Sequence, residues 1–284
     1  MTKVENLFAG RKLVIGTKHD KEKVIAPIIE KVIGVNCFIP ENFDTDLLGT
    51  FTGEIDRQDD PLVTVRKKCL AAMDATNCDL GIASEGSFGA HPVSPFISAD
   101  EELLIFIDRQ NRIEVTAREL STSTNFRAEE ITSENQLLEF ASKVGFPTHA
   151  LILRRSAKDI TSITKCINDV DTLKAKFHAL MNDYGEAFAE TDMRAMYNPT
   201  RMQVIEGLTK KLADNIRSSC PVCEMPGFNI TEVKSGLPCE YCHLPTRSIL
   251  SWVLQCKHCL HQEVKMYPQG KRYCDPMYCD YCNP

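Results

Sequence analysis

The chain has 284 residues, with 33 Lys and Arg against 39 Asp and Glu and a formal net charge of −6. A dedicated DNA binder carries a basic face, and no surplus of cations marks one here. Hydrophobic residues at 43% and charged ones at 25% describe an ordinary globular chain, and no apolar run of about 18 residues is present to cross a membrane.

Leu13 to Gly16 reads as a strand. Residues 20–33 read as a helix, with Ile25, Ile28, Ile29 and Val32 on one face and Asp20 as its cap. Pro27 weakens that helix by removing a donor. Cys37 to Ile39 reads as a second strand, and residues 40–59 are polar and turn-rich. Asp60-Pro61 marks a helix start, a capping carboxylate followed by proline at the first helical position; Leu62, Val65, Cys69, Ala72 and Met73 then share a face. Leu80 to Ala83 is a short buried strand running into a glycine-rich loop, Ser84 to Pro92. Leu103 to Asp108 and Ile113 to Ala117 pair as a hairpin around Gln110-Asn111. Ser133 and Gln136 form a capping box for a helix that Gly145 and Pro147 stop. Ala150 to Leu153 is a strand. Val170, Leu173, Phe177 and Leu180 mark a helix ending near Gly185, and Ala187 to Ala189 is another strand. Asn198-Pro199 opens the last long helix, with Met202, Ile205, Leu208, Leu212 and Ile216 inward. Strands alternating with helices, plus the hairpin, predict an α/β layered domain with a mixed sheet over residues 1–218.

Residues 219–284 read as a separate small module. They carry Cys220/Cys223, Cys239/Cys242, Cys256/Cys259 and Cys279/Cys282, four Cys-x-x-Cys pairs. Two such pairs make a tetrahedral thiolate cage, so four predict two structural zinc sites of zinc-ribbon type. Fifteen residues separate Cys223 from Cys239 and nineteen separate Cys259 from Cys279, which favours sequential cages, Cys220/Cys223/Cys239/Cys242 and Cys256/Cys259/Cys279/Cys282. The interleaved pairing needs gaps of 32 and 36 residues. A stretch with so few apolar residues needs such a staple. Disulfides, a redox motif or an iron–sulfur cluster fit less well, because nothing marks secretion and four motifs sit in a loop-rich tail. Thirteen cysteines without a secretion signal predict a cytoplasmic protein. The module holds six Lys/Arg and six Asp/Glu, so it is neutral. A cage filled by cysteine has no open position for catalysis.

Three segments suit chemistry because each leaves the carboxyl end of a predicted strand. In the first, Thr17 and Lys21 precede a helix, whose free N–H groups favour a phosphate. In the second, Glu85 could bind a divalent metal or act as a base, and His91 could donate to a leaving group. In the third, Asp192, Arg194 and Arg201 lie around a helix start, where two guanidiniums make an anion clamp. Taken singly, each has a bland reading: a solvated turn, a structural histidine or a helix cap. Glu54, in the acidic stretch with Asp56 and Asp59, could supply a magnesium ligand.

The segments Ser84-Glu85-Gly86-Ser87-Phe88-Gly89, Glu190-Thr191-Asp192-Met193-Arg194, Asn198-Pro199-Thr200-Arg201-Met202 and Cys279-Asp280-Tyr281-Cys282-Asn283-Pro284 resemble an uncharacterised bacterial family catalogued as a domain of unknown function, a likeness that brings no activity with it. Residues 12–120 are similar in order to the inosine/xanthosine triphosphate pyrophosphatases: Thr17 and Lys21 after a first strand, then Thr52-Gly53-Glu54, Arg66 to Ala72, Gly81 to Gly86 and the hairpin. Ser87 stands where that family has a second glycine, and residues 125–219 have no counterpart. The resemblance implies a metal-dependent hydrolase of a nucleotide or similar phosphorylated small molecule. Thr17, Lys21, Arg194 and Arg201 would hold phosphate, and Glu54 and Glu85 would hold magnesium or manganese. The alternative is a non-catalytic adaptor whose zinc module binds a protein or RNA partner.

Overall fold

A computed structural model describes residues 7–41 and 60–284; Thr52, Gly53, Glu54, Asp56 and Asp59 lie outside that range. The first body is built on one five-stranded mixed sheet. Its elements are β1 (Lys12–Gly16), α1 (Glu22–Ile33), β2 (Asn36–Phe38), α2 (Pro61–Thr76), β3 (Leu80–Ala90), β4 (Ser98–Asp108) and β5 (Ile113–Ser121). The strand order is β2-β1-β3-β4-β5. β1 runs parallel to β2 and β3, and the β3–β4–β5 meander is antiparallel. Period-2 alternation gives the sheet two apolar faces. Leu13, Ile15, Leu80, Ile82, Leu104 and Phe106 pack with α1 and with α5 (Pro199–Arg217). Val14, Ala83, Leu103, Ile105 and Ile107 pack with Val65, Cys69, Ala72 and Met73 of α2.

Local signals place the helices. Asp60 caps α2 by accepting from Leu62 N at 2.8 Å, Ser133 caps α3 (Glu134–Lys143), and Asn198 caps α5 by accepting from Arg201 N at 3.0 Å. Gly185 ends α4 (Val170–Tyr184) in the left-handed conformation. Asp20 does not cap α1. It sits at φ 62° ahead of the helix and pairs with Lys23 at 2.6 Å instead.

A second body occupies the middle of the chain. β6 (Ala128–Ile131), β7 (Leu151–Arg154), β8 (Thr164–Ile167) and β9 (Ala187–Thr191) form an antiparallel sheet of order β6-β9-β7-β8. Helices α3 and α4 close their own core over it through Leu137, Phe140, Leu173 and Phe177. β6 and β8 are absent from the sequence reading, because both are four residues long with polar partners in between.

β3 corrects a further expectation. Ser84 to Ala90 is the second half of an eleven-residue strand, not a loop, and every residue from Leu80 to Ala90 is in register with β4. Glycine and serine weaken an isolated strand, but a full-length neighbour supplies the ladder that overrides them.

The C-terminal module is a meander of β10 (Asn229–Ser235), β11 (Ile249–Gln255) and β12 (Gln262–Met266). It overturns sequential pairing. The cysteine clusters are Cys220/Cys223/Cys256/Cys259 and Cys239/Cys242/Cys279/Cys282, the interleaved arrangement. The reason is strand length. Each seven-residue strand carries the chain roughly 20 Å, so successive knuckles fall at opposite ends of the sheet. First and third meet at the proximal end, second and fourth at the distal end.

Candidate functional site

Two kinds of site emerge. At the zinc-type sites, each group of four ligand sulfurs lies within 4.8 Å of one another. Cys220–Cys259 and Cys223–Cys256 stand 3.6 Å apart, Cys242–Cys279 3.6 Å and Cys239–Cys282 3.9 Å. Four sulfurs about 2.3 Å from a tetrahedral ion are separated by about 3.8 Å. The donor set and its size therefore fit a tetrathiolate-bound ion such as zinc, and the separations are far too long for disulfides. Val222 N and Tyr241 N each donate to the first sulfur of their knuckle at 3.4 Å, the turn that aims both sulfurs inward. Of the remaining cysteines, Cys274 is buried beside the distal site, bonded to Ser248 at 3.0 Å. Cys37, Cys69, Cys78 and Cys166 are scattered and half-buried or buried, and burial pushes the Cys37 and Cys69 thiols up to about 12.

The second site lies where β1 stops and β3 continues. Gly16 pairs with Ala83, so beyond Gly16 the β1 side of β3 faces the segment that leads into α1. Lys21, on that segment, is buried and its Nζ donates to Ser84 Oγ at 2.9 Å. On the α5 side of the sheet, Ser84, Gly86 and Phe88 stand opposite Leu104, Glu102 and Asp100. Arg201 reaches in from the first turn of α5: its Nε donates to Glu102 Oε1 at 2.6 Å, one Nη donates to the Met193 carbonyl, and its guanidinium lies 4.9 Å over the Phe88 ring. Gly86 is what lets this pair cross the strand, since a Cβ there would lie 2.5 Å from both Arg201 Nη2 and Glu102 Oε1. On the α2 side, Glu85 is ion-paired with Lys68, both buried.

Burial dominates the electrostatics. Lys21 is pushed down to about 7, first by burial and then by Arg201, with Glu102 and Glu85 opposing. Asp100 is fully buried beside Glu102, no N–H or hydroxyl donor reaches either of its oxygens, and its carboxyl is raised to about 8 by burial and then by that neighbouring carboxylate. A cavity of about 240 Å³ opens on the α2 side, lined by Glu85, Gly86, Glu101, Arg118 and the Asp60–Leu62 start of α2.

One residue of each predicted segment therefore reaches the middle of β3, on two faces: Lys21 bonds Ser84 and Arg201 bonds Glu102 on the α5 side, and Glu85 pairs with Lys68 on the α2 side. Thr17 is half-buried just past Gly16, its hydroxyl bonded to the Lys18 carbonyl at 3.1 Å. Arg194 stays with its own segment: its Nε donates to Asp192 at 2.9 Å and its guanidinium stacks 4.6 Å over Tyr197. Asp192 is fully buried and also accepts from Cys166 N at 3.2 Å, which makes it a brace between β8 and the end of β9. His91 is in the turn after β3, its Nδ1 accepting from Val93 N at 3.2 Å. Because β3 runs unbroken to Ala90, six residues at strand spacing separate His91 from Glu85 by roughly 20 Å. Glu54 lies outside the described residues.

Lys68, Asp100 and Glu102 escaped the sequence reading. Each left a signal. Lys68 interrupts the apolar stripe of Val65, Cys69 and Ala72, and Asp100 and Glu102 share the face of Leu104 and Phe106 at strand spacing. No group of three or more His, Cys, Asp or Glu among the described residues, apart from the two cysteine clusters, is placed to hold a metal. No helix among them is long and apolar enough to cross a membrane.

No curated protein matches the chain. Residues 68–284, which include Lys68, Glu85, Glu102, Arg201 and all eight cluster cysteines, match the family model described as a domain of unknown function, DUF6671, and the chain belongs to that family.

Proposed function

We propose that the protein is a cytoplasmic, metal-dependent phosphohydrolase acting on a nucleotide or another phosphorylated small molecule, with two structural zinc sites in its C-terminal module. The observation that carries this reading is the buried Lys68–Glu85 ion pair where β3 runs on past the end of β1, with Glu85 lining a cavity on the α2 side. Ligands of open α/β sheets bind at that position.

Glu85 and Glu101, which both line the cavity, would hold magnesium or manganese, Glu101 giving up its pairing with Arg118 at 2.6 Å. Such an ion usually takes one or two carboxylates and completes its shell with water and substrate phosphate, so the lack of a three-acid cluster is compatible with it. When bound, it neutralises charge on the phosphate oxygens. Thr17, half-buried past the end of β1, meets the phosphate, and Lys21, buried behind it and held by the Ser84 hydroxyl, adds positive charge when protonated. Lys68 orients Glu85, which positions the attacking water. Arg201 stays on Glu102 and acts through the shape of β3.

The test is phosphate and pyrophosphate release by zinc-replete protein from canonical and deaminated nucleoside triphosphates, with magnesium or manganese. Turnover of at least one substrate that needs the added metal is expected. Absence of turnover across the panel overturns the reading.

A further inference from the structure

The two ends of the zinc module differ in what they present. The proximal end is docked on the first body: Gly227 sits against Val115, where a Cβ would lie 2.9 Å from Cγ2, and Asn229 Nδ2 donates to the Asn215 carbonyl at 3.0 Å. The distal end carries exposed tyrosines. Tyr241, Tyr273, Tyr278 and Tyr281 are 81%, 50%, 65% and 67% exposed, and each is the chain neighbour of Cys242, Cys274, Cys279 or Cys282. Tyr241 and Tyr281 occupy the same position in the two knuckles of one site, each preceded by an acid, in Cys239-Glu240-Tyr241-Cys242 and Cys279-Asp280-Tyr281-Cys282. The proximal knuckles have Pro221-Val222 and Lys257-His258 there.

Tyr273 meets His243 edge-on at 6.0 Å, whereas Tyr241, Tyr278 and Tyr281 turn most of their surface to solvent and add little to the module's own core. Tyrosine is among the side chains that anchor protein interfaces. Charge selects the occupant. Glu240, Asp275 and Asp280 are balanced by Arg247, Lys271 and Arg272, and Arg247 is already bonded to Asp280 at 2.9 Å. A zinc ion with four thiolates adds a formal charge of −2, so the loaded distal end is negative. Single-stranded nucleic acid, which needs aromatic platforms within a cationic groove, is disfavoured. A guanidinium or ammonium group, attracted by ring faces and carboxylates together, fits.

We propose that the distal zinc end is a docking surface for a basic, arginine- or lysine-bearing segment of a protein partner, gripped between the knuckle-tip pairs Glu240-Tyr241 and Asp280-Tyr281.

The test is fluorescence anisotropy of the full, zinc-loaded chain against a labelled nonapeptide alternating arginine and serine. A glutamate-for-arginine analogue and a single-stranded RNA dodecamer serve as comparisons. Saturable binding of the arginine peptide is expected. The variant carrying Tyr241→Ala and Tyr281→Ala leaves every charge in place and should weaken binding by about tenfold, from two exposed cation–π contacts. Both tyrosines are solvent-facing, and unchanged zinc content and circular dichroism establish that the variant is folded. A peptide affinity indifferent to the two tyrosines overturns the proposal, as does no saturable binding or tighter binding of the RNA.

Discussion

Gly86 offers two physical arguments of opposite sign. It does not adopt a positive φ, so alanine suits the backbone, and in a strand interior alanine is favoured over glycine by about 0.5–1 kcal/mol. Packing says the reverse. An added Cβ would lie 2.5 Å from Arg201 Nη2, 2.5 Å from Glu102 Oε1 and 2.8 Å from Glu102 Cδ, where ordinary contact starts at 3.4 Å. The pair must withdraw by about 0.9 Å, the difference between 3.4 and 2.5 Å. Neither partner can turn to solvent, since their side chains are 0% and 1% exposed. Overpacking alone costs about 1–3 kcal/mol, and parting a buried ion pair costs about 3–5 kcal/mol. Net of the backbone gain, Gly86→Ala should destabilise the first body by up to about 2.5 kcal/mol from overpacking alone and by about 2–4.5 kcal/mol if the pair is forced apart. Gly89 is the control: it lies in the same strand with nothing within 4 Å of its Cβ, so Gly89→Ala should be neutral or slightly stabilising. Urea unfolding followed by far-ultraviolet circular dichroism compares the midpoints at constant slope. A Gly86→Ala midpoint at or above that of wild type refutes the account of how Arg201 crosses β3.

Three further expectations follow from the same geometry. The variant with Cys220→Ser and Cys259→Ser removes two ligands from one interleaved site and should retain one zinc per chain; sequential pairing would damage both sites and leave none. Trp252, the chain's single tryptophan, lies on β11 between the two sites, so chelation should shift its emission while the circular dichroism of the first body persists, because structural zinc is folding free energy for its module. Asp100, raised from 3.8 to about 8, takes up a proton on folding over that range, so its burial lowers stability as pH rises from about 4 to 8. Lys21, lowered to about 7, opposes this only above pH 7, where stability recovers toward about 10.5. Asp100→Asn should therefore flatten the fall below pH 7 and gain at most about 4 kcal/mol at pH 7, read from denaturant midpoints between pH 5 and 8.

What the sequence made legible is local. Asp60-Pro61, Ser133 with Gln136, Asn198-Pro199 and Gly185 each act within one turn of backbone, and each is where a helix begins or ends. What it hid depends on distant partners. Ser84 to Ala90 is composed like a loop and becomes strand only because β4 runs its full length. The second core needs β6 and β9, more than fifty residues apart, to meet. Cysteine identity was plain, whereas cysteine pairing depends on strands whose length no spacing rule contains. The candidate site was half visible: Lys21, Glu85 and Arg201 stood out as charges in strand-end segments. Their partners Lys68, Glu102 and Asp100 were masked because a buried charge and a solvated one look alike until the neighbouring face is known.

The most direct test of the central claim is the steady-state rate of phosphate or pyrophosphate release by wild type and by Glu85→Gln, on the best substrate and with saturating magnesium. A rate lowered by about 10²-fold or more, with the folded structure and zinc content unchanged, is the result expected of a carboxylate that positions water and metal. A Glu85→Gln protein that turns over at the wild-type rate would contradict an active site on β3.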